Sequence, residues 1–295
     1  MRRATAAVWL TAGAVVLLVA GCGGSPSGPG SASQPPPTAT PPAPPNALPV
    51  IEAVTAQGRR TQEPASFADL GETIDVSARV RDDETAVTEL EYEWSASTGT
   101  FEGTGAKVAW RAPDALTTPV DVTLTLKVTE RFGYPGGAKV YSQNVSGTVD
   151  VSVHDSVKEI GEIGRQFLLD FSDSNIRDIS SITRNFIPGC YGTKEETDQV
   201  TENRRRFKII ESRVGEPKTT INFGGVCPYD GKKGDACTAV PVYWKSIDLD
   251  ANKTEAVRGT DWLASYYVPA TKRWGLCDSS FAGRPGLSPT RGLVP

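Results

Sequence analysis

Five cysteines and a single histidine carry most of the chemistry open to this 295-residue chain. Cys22 stands alone behind an N-terminal leader, while Cys190, Cys227, Cys237 and Cys277 all fall in the C-terminal half. Met1-Arg2-Arg3 followed by the apolar run from Ala6 to Ala20 has the build of a secretory signal and is short for a membrane span. An exported chain meets an oxidising compartment, so four remaining thiols argue for two disulfides. Three pairings are open. The turn at 228–235 favours Cys227 with Cys237, which leaves Cys190 to tie a helical stretch to the last strand through Cys277. A four-cysteine zinc site needs close Cys-x-x-Cys pairs, and these are missing.

Catalytic constellations are short of residues. A serine or cysteine nucleophile has only His154 to call on, and His154 reads as a linker residue between two domains. With one histidine no His-Glu-x-x-His zinc motif can form. Asp248-x-Asp250-x-Asn252 begins like a calcium loop, yet Lys253 occupies the position of the required Gly and Gly259 that of the bidentate Glu, so it reads as a hairpin turn. Asp82-Asp83-Glu84 offers clustered carboxylates for calcium, against the plainer reading of a solvated turn. No glycosidase signature and no phosphate-cradling Gly loop appears, and neither a catalytic residue, a metal nor a cofactor is expected. Removing Arg2 and Arg3 with the acid-free leader takes 31 basic residues to 29 against 35 acidic, a charge of −6 that argues against nucleic acid as a partner. Arg204-Arg205-Arg206 with Lys208 reads as the end of a helix passing into a strand, with a phosphate or anionic-lipid patch as the alternative.

Leu18-Val19-Ala20-Gly21-Cys22 resembles the lipobox of bacterial lipoproteins. The resemblance implies a thioether-linked diacylglycerol on Cys22, cleavage before it and fatty acylation, such as by palmitate, of the new amino terminus. Two or three chains at about 0.8 kcal/mol per buried methylene hold a folded body at a bilayer. Gly23, where an inner-membrane retention Asp often stands, implies delivery to the outer membrane if two membranes are present and otherwise to the outer face of the cell membrane. Residues 1–21 are thus read as signal peptide, and 22–49, nearly all Gly, Ser, Pro, Ala and Thr, as a disordered stalk. Extended, that stalk reaches on the order of 80 Å.

Residues 50–154 are written in period two. Ile74, Val76, Ala78 and Val80 alternate with polar neighbours, as do Leu90, Tyr92, Trp94 and Ala96, then Val120 to Val128 and Val145 to Val153. Such half-buried strands, separated by turns such as Gly133-Tyr134-Pro135-Gly136-Gly137, predict a β-sandwich of seven or so strands. Tyr92-Glu93-Trp94-Ser95-Ala96-Ser97-Thr98-Gly99-Thr100-Phe101, with Val108-Ala109-Trp110-Arg111-Ala112-Pro113, resembles the immunoglobulin-like and polycystic-kidney-disease-type (PKD) modules of bacterial surface proteins. No cysteine pair clamps the sheets, so Trp94 is expected to fill the centre by packing alone. The resemblance implies a spacer or adhesive module.

In residues 155–282 the period changes. Val157, Ile160, Gly164, Phe167, Leu168 and Phe171 form one helical stripe. A short helix from Ile176 to Phe186 and a third from Lys194 to Arg206 follow, then strands at Phe207 to Val214, Thr219 to Phe223, Ala239 to Leu249, Glu255 to Val268 and Arg273 to Asp278. Helices before a meander predict an α+β domain with helices on a curved antiparallel sheet. That order, closing on Arg273-Trp274-Gly275-Leu276-Cys277-Asp278, resembles the cone shared by nuclear transport factor two and ketosteroid isomerase. The concave face then offers Trp244, Trp262, Tyr266 and Trp274 as a candidate pocket, against the alternative that they are core. No catalytic residue carries over. Residues 283–295 are read as a disordered tail. The expectation is a multidomain, non-catalytic, lipid-anchored envelope protein that binds a protein or glycan. A small-ligand cone and a cell-wall glycan hydrolase are the rivals.

Overall fold

The computed structural model describes residues 42–228 and 231–281. The leader, Cys22, most of the stalk and the tail lie outside the described residues. The chain is mostly β, in several sheets, and from Ala43 onward forms one compact unit by its contacts.

The first eight strands are β1 (Val50–Gln57), β2 (Phe67–Asp69), β3 (Thr73–Arg81), β4 (Glu91–Ala96), β5 (Thr100–Glu102), β6 (Lys107–Arg111), β7 (Val120–Gly133) and β8 (Val140–His154). They make two four-stranded sheets, ordered β1-β3-β6-β5 and β2-β8-β7-β4. The alternating residues explain the faces: Ile74, Val76, Leu124, Val151 and Val153 are all buried between the sheets. Trp110, not Trp94, is the fully buried centre; its indole N–H donates to the Thr98 carbonyl. Trp94 is half-buried, tilted against Phe101 at 5.9 Å, with its N–H on the Gly105 carbonyl. β2 pairs with the end of β8 in parallel, Phe67 opposite Ser152 and Asp69 opposite His154. At the other end of β8 the chain enters: Asn46 and Gln143 both donate to the fully buried Glu130, and Gln143 also holds the Ala47 carbonyl.

The second half contains α1 (Ser156–Ser172), α2 (Ile179–Ile182), α3 (Thr193–Arg206), β9 (Phe207–Val214), β10 (Lys218–Val226), β11 (Lys233–Asp248), β12 (Lys253–Val268) and β13 (Arg273–Phe281). The sheet runs β10-β11-β12-β13, and β9 pairs the far half of β11 from Val242 to Asp248, so β9 and β10 share one edge of that strand. Asp155 caps α1, and Ile160, Phe167, Leu168 and Phe171 bury its apolar stripe on the sheet. Val157 leaves that stripe and is 55% exposed, because the first turn is anchored instead by Ser156, whose N–H and hydroxyl donate to Asp69. Gly164 lets α1 approach closely: a Cβ there would come within 2.6 Å of Leu263 Cδ1.

The predicted helix over 176–186 shrinks to a single turn. Asp178 caps it, but residues 185–187 are drawn off to pair with β13, Leu276 N–H donating to Asn185 and Ile187 N–H to Leu276. Sheet-edge hydrogen bonds replace the helical ones that the apolar spacing favours.

Candidate functional site

The best-defined cluster of chemical groups sits where α1 leaves β8. His154 and Ser152 share a face of β8 as an i, i+2 pair, and Glu159 reaches back from the first turn of α1. His154 Nδ1 lies 2.8 Å from Glu159 Oε2 and donates to it, while Nε2 lies 3.0 Å from Ser152 Oγ. Burial raises the Glu159 carboxyl, and the bonds from His154, Thr118 and the Asp155 N–H outweigh it, leaving the group below the usual carboxylate value. Serine, imidazole and carboxylate in series is the connectivity of a hydrolytic triad. Here the serine is 2% exposed and the imidazole fully buried. Phe67 stacks on His154 at 5.0 Å, Tyr267 meets it edge-on at 5.3 Å, and Ser152 also bonds the Tyr267 hydroxyl. His154 is therefore no linker residue; it brackets strand, helix and the far sheet.

Phe67 extends that bracket. Its ring, fully buried, is edge-on to Phe223 at 5.5 Å, Tyr267 at 4.8 Å and Trp274 at 6.2 Å, so one residue of β2 packs on three strands of the second sheet. Polar contacts ring the aromatics: Ser156 on Asp69, Lys272 to Asp121 at 2.8 Å, and the Trp274 N–H on Ser156 at 3.1 Å. Arg60 lies over Phe67 and Phe223 and pairs with Glu63, Asp69 and Glu72, the last two at 2.8 Å. Three carboxylates around one half-buried guanidinium leave two acids in excess of the cation. Burial pushes the Glu72 carboxyl up to about 7, against the pull of the Asp69 N–H and Arg60.

The four aromatic residues proposed for a pocket do not converge. Trp274 belongs to the joint just described. Trp244 is buried in the main core with Phe171 and Phe281, its N–H donating to Ser172 at 2.8 Å. Trp262 and Tyr266 point to the opposite sheet face, half-buried, since their neighbours Leu263 and Tyr267 take the inward positions. On that outer face Ala264 covers the disulfide Cys227–Cys237, and Cys190–Cys277 forms as well. Side chains also join the two bridged segments: Lys232 pairs with Asp278, and the Tyr191 hydroxyl donates to the Lys233 carbonyl.

A cavity in this half is lined by Phe167, Phe171, Val200 and Trp244 together with the buried acids Glu196 and Asp261. It measures about 20 Å³, room for a single water. Ser279 donates to Glu196 at 3.0 Å inside it. Sequence reasoning missed this acid pair because Glu196 is one of eight charged residues of α3 with no marker of burial; the helical spacing to Val200 was the available signal.

Asp248 closes the β11–β12 turn by accepting from the Asp250 and Ala251 N–H groups and from Arg206. Asp82 accepts from the Glu84 and Thr85 N–H groups, the geometry of an Asx turn. Among the described residues no helix is long and apolar enough to cross a membrane. No protein-family model matches this chain, and comparisons with curated proteins and with solved structures return no match.

Proposed function

We propose that this chain is a lipid-anchored cell-envelope lipoprotein whose body works by contact and not by turnover. Cys22 carries the lipid, the Pro-rich segment is the stalk, the first eight strands act as an immunoglobulin-like, PKD-type spacer, and the cone-like second half is the binding head. One observation carries the contact reading: the cavity that Phe167, Phe171 and Trp244 line in the head measures only about 20 Å³. A small-ligand cone needs an interior of a few hundred Å³. Two intramolecular disulfides fit an oxidising compartment and support export.

Glu196 and Asp261 in one cavity favour the hydrolase as the second reading. Glycan cleavage needs a cleft that admits a sugar ring between two carboxyls, and a water-sized void does not. The test has two arms. Wild-type chain should partition with membranes, carry acyl groups at Cys22 by mass spectrometry and crosslink in intact cells to an envelope component, while Cys22→Ala should appear in the soluble fraction. Wild-type protein found soluble with an unmodified Cys22 refutes the anchor, and hydrolysis of wall glycan that Glu196→Gln abolishes refutes the contact reading.

A further inference from the structure

The geometry points to a phosphate-binding groove at the end of the head farthest from the joint. The last turn of α3, the start of β9, the β11–β12 turn and the loop after α1 enclose an open groove of about 680 Å³. Four of the residues that line it are cations, Arg177, Arg204, Arg205 and Lys208, and none is acidic. In a chain of net charge −4 this is a local reversal of sign, and a concave low-dielectric wall concentrates its field.

The cations are not equivalent. Arg204 is fixed by the carbonyls of Phe171, Asp173 and Ile176, which end α1 and its loop. Carbonyls orient the guanidinium without cancelling its charge, so it is presented pre-organised. Arg177 and Lys208 are exposed and make no ion pair among the described residues. Arg205 is shared with Glu202 at 2.7 Å and Asp250 at 3.1 Å, both on the rim, and contributes least. The nearby Asp173 carboxylate is occupied by the Asn175 N–H and side-chain amide, and Asp178 by the N–H groups that begin α2.

Three available cations around one groove match an oxyanion carrying more than one charge, where a guanidinium fork and an ammonium each find an oxygen. Ser174 adds a hydroxyl, and Phe207 with the 53% exposed Leu249 adds an apolar floor. The ligand class is therefore a phosphate ester on an uncharged carbon scaffold, either a soluble molecule or a lipid headgroup. This names the ligand of the contact reading above and does not depend on the lipid at Cys22.

Full chain in uncharged detergent micelles, titrated calorimetrically with pyrophosphate and glycerol phosphate, should show saturable binding that weakens as salt rises. Arg177→Glu with Lys208→Glu should weaken it roughly tenfold or more while leaving the denaturation midpoint in place, since both side chains are at the surface. Flotation with phosphatidylcholine vesicles, with and without phosphatidylglycerol, separates the sources. Variant-sensitive binding to anionic vesicles alone assigns the headgroup, and variant-sensitive binding to the small esters alone assigns a soluble ligand. No saturable binding to either at about 10 mM phosphate, or binding that the double variant keeps, overturns the proposal. Crosslinking of the head to an envelope partner through another surface would leave the contact reading standing while this groove fails.

Discussion

Removing Phe67 tests whether the sandwich sheets and the head sheet behave as one body. The ring is fully buried and contacts His154, Phe223, Tyr267 and Trp274, with centroids 4.8 to 6.2 Å away. Burying a Phe side chain is worth about 1.5 to 3 kcal/mol, and each well-formed aromatic pair adds about 0.5 to 1.5. A cavity ringed by four rings from three strands and a strand end cannot collapse easily, so Phe67→Ala should cost about 3 to 5 kcal/mol. That is a large part of the 5 to 15 kcal/mol typical of a domain, roughly 1 to 2 M of urea midpoint. Urea unfolding is followed by far-ultraviolet circular dichroism and by tryptophan emission, which sums Trp94 and Trp110 of the sandwich with Trp244, Trp262 and Trp274 of the head. Wild type should give coincident transitions; the variant should unfold earlier or split into two steps. Non-coincident transitions in wild type, or a cost in the variant below about 1 kcal/mol, would refute the reasoning, because the ring would then behave like a surface residue.

Three further outcomes follow from the same geometry. Replacing Cys190 and Cys277 with Ala should cost about 4 to 5 kcal/mol, against about 3 for Cys227 and Cys237, because their sequence separations are 87 and 10; denaturation midpoints of the two variants check the order. Gly164→Ala should destabilise by about 1 to 2 kcal/mol despite a helix-propensity gain of about 1, since the new methyl would meet Leu263 at 2.6 Å; a stabilised variant by thermal melting would show that Leu263 yields. Glu72 sits near 7 when folded and near 4.5 when unfolded, so the native state holds the extra proton between those values. Stability should therefore fall as pH rises from about 4.5 to about 7, by on the order of 1 kcal/mol after water around the cluster is allowed for. In Glu72→Gln this share of the pH dependence should vanish, as midpoints measured from pH 5 to 8 would reveal.

Local patterns reached the elements and stopped at the faces. Period-two writing placed β3, β4, β7 and β8, and charge polarity along Lys194 to Arg206 placed α3, which begins one residue earlier at Thr193. The strand over Phe207 to Val214 has the same limits in sequence and structure. Aromatic content, by contrast, does not say which face a ring takes. Residue type groups Trp262 and Tyr266 with Trp244, whereas Leu263 and Tyr267 hold the inward parity of β12 and send them outward. Trp94 and Trp110 differ for the same reason: both lie on apolar alternations, and only the pairing of β6 between β3 and β5 puts Trp110 at the middle. His154 was illegible because Phe67 lies far away in sequence, and its partner Glu159 is separated from it by the change from strand to helix. The shared edge of β11 and the loss of most of the predicted second helix depend on sheet-edge bonds that no local window contains.

The joint and the groove are linked by leverage. β8 runs about 50 Å from the hairpin at Val140, near where the chain enters at Asn46, to His154 at the joint. From Ser156, α1 spans about 25 Å, and its last carbonyls hold Arg204 at the groove. Along the chain, β8 and α1 thus separate the point of entry from the cationic groove. A stiff body from Asn46 onward preserves the orientation of the groove during an encounter, which lowers the ordering cost of binding. If the joint were loose, the head would tumble on its own and that advantage would be lost. Phe67→Ala should therefore weaken crosslinking to an envelope partner in intact cells while leaving pyrophosphate affinity in solution within about twofold of wild type. An equal loss in both assays would mean that the joint shapes the groove itself and would remove the mechanical account.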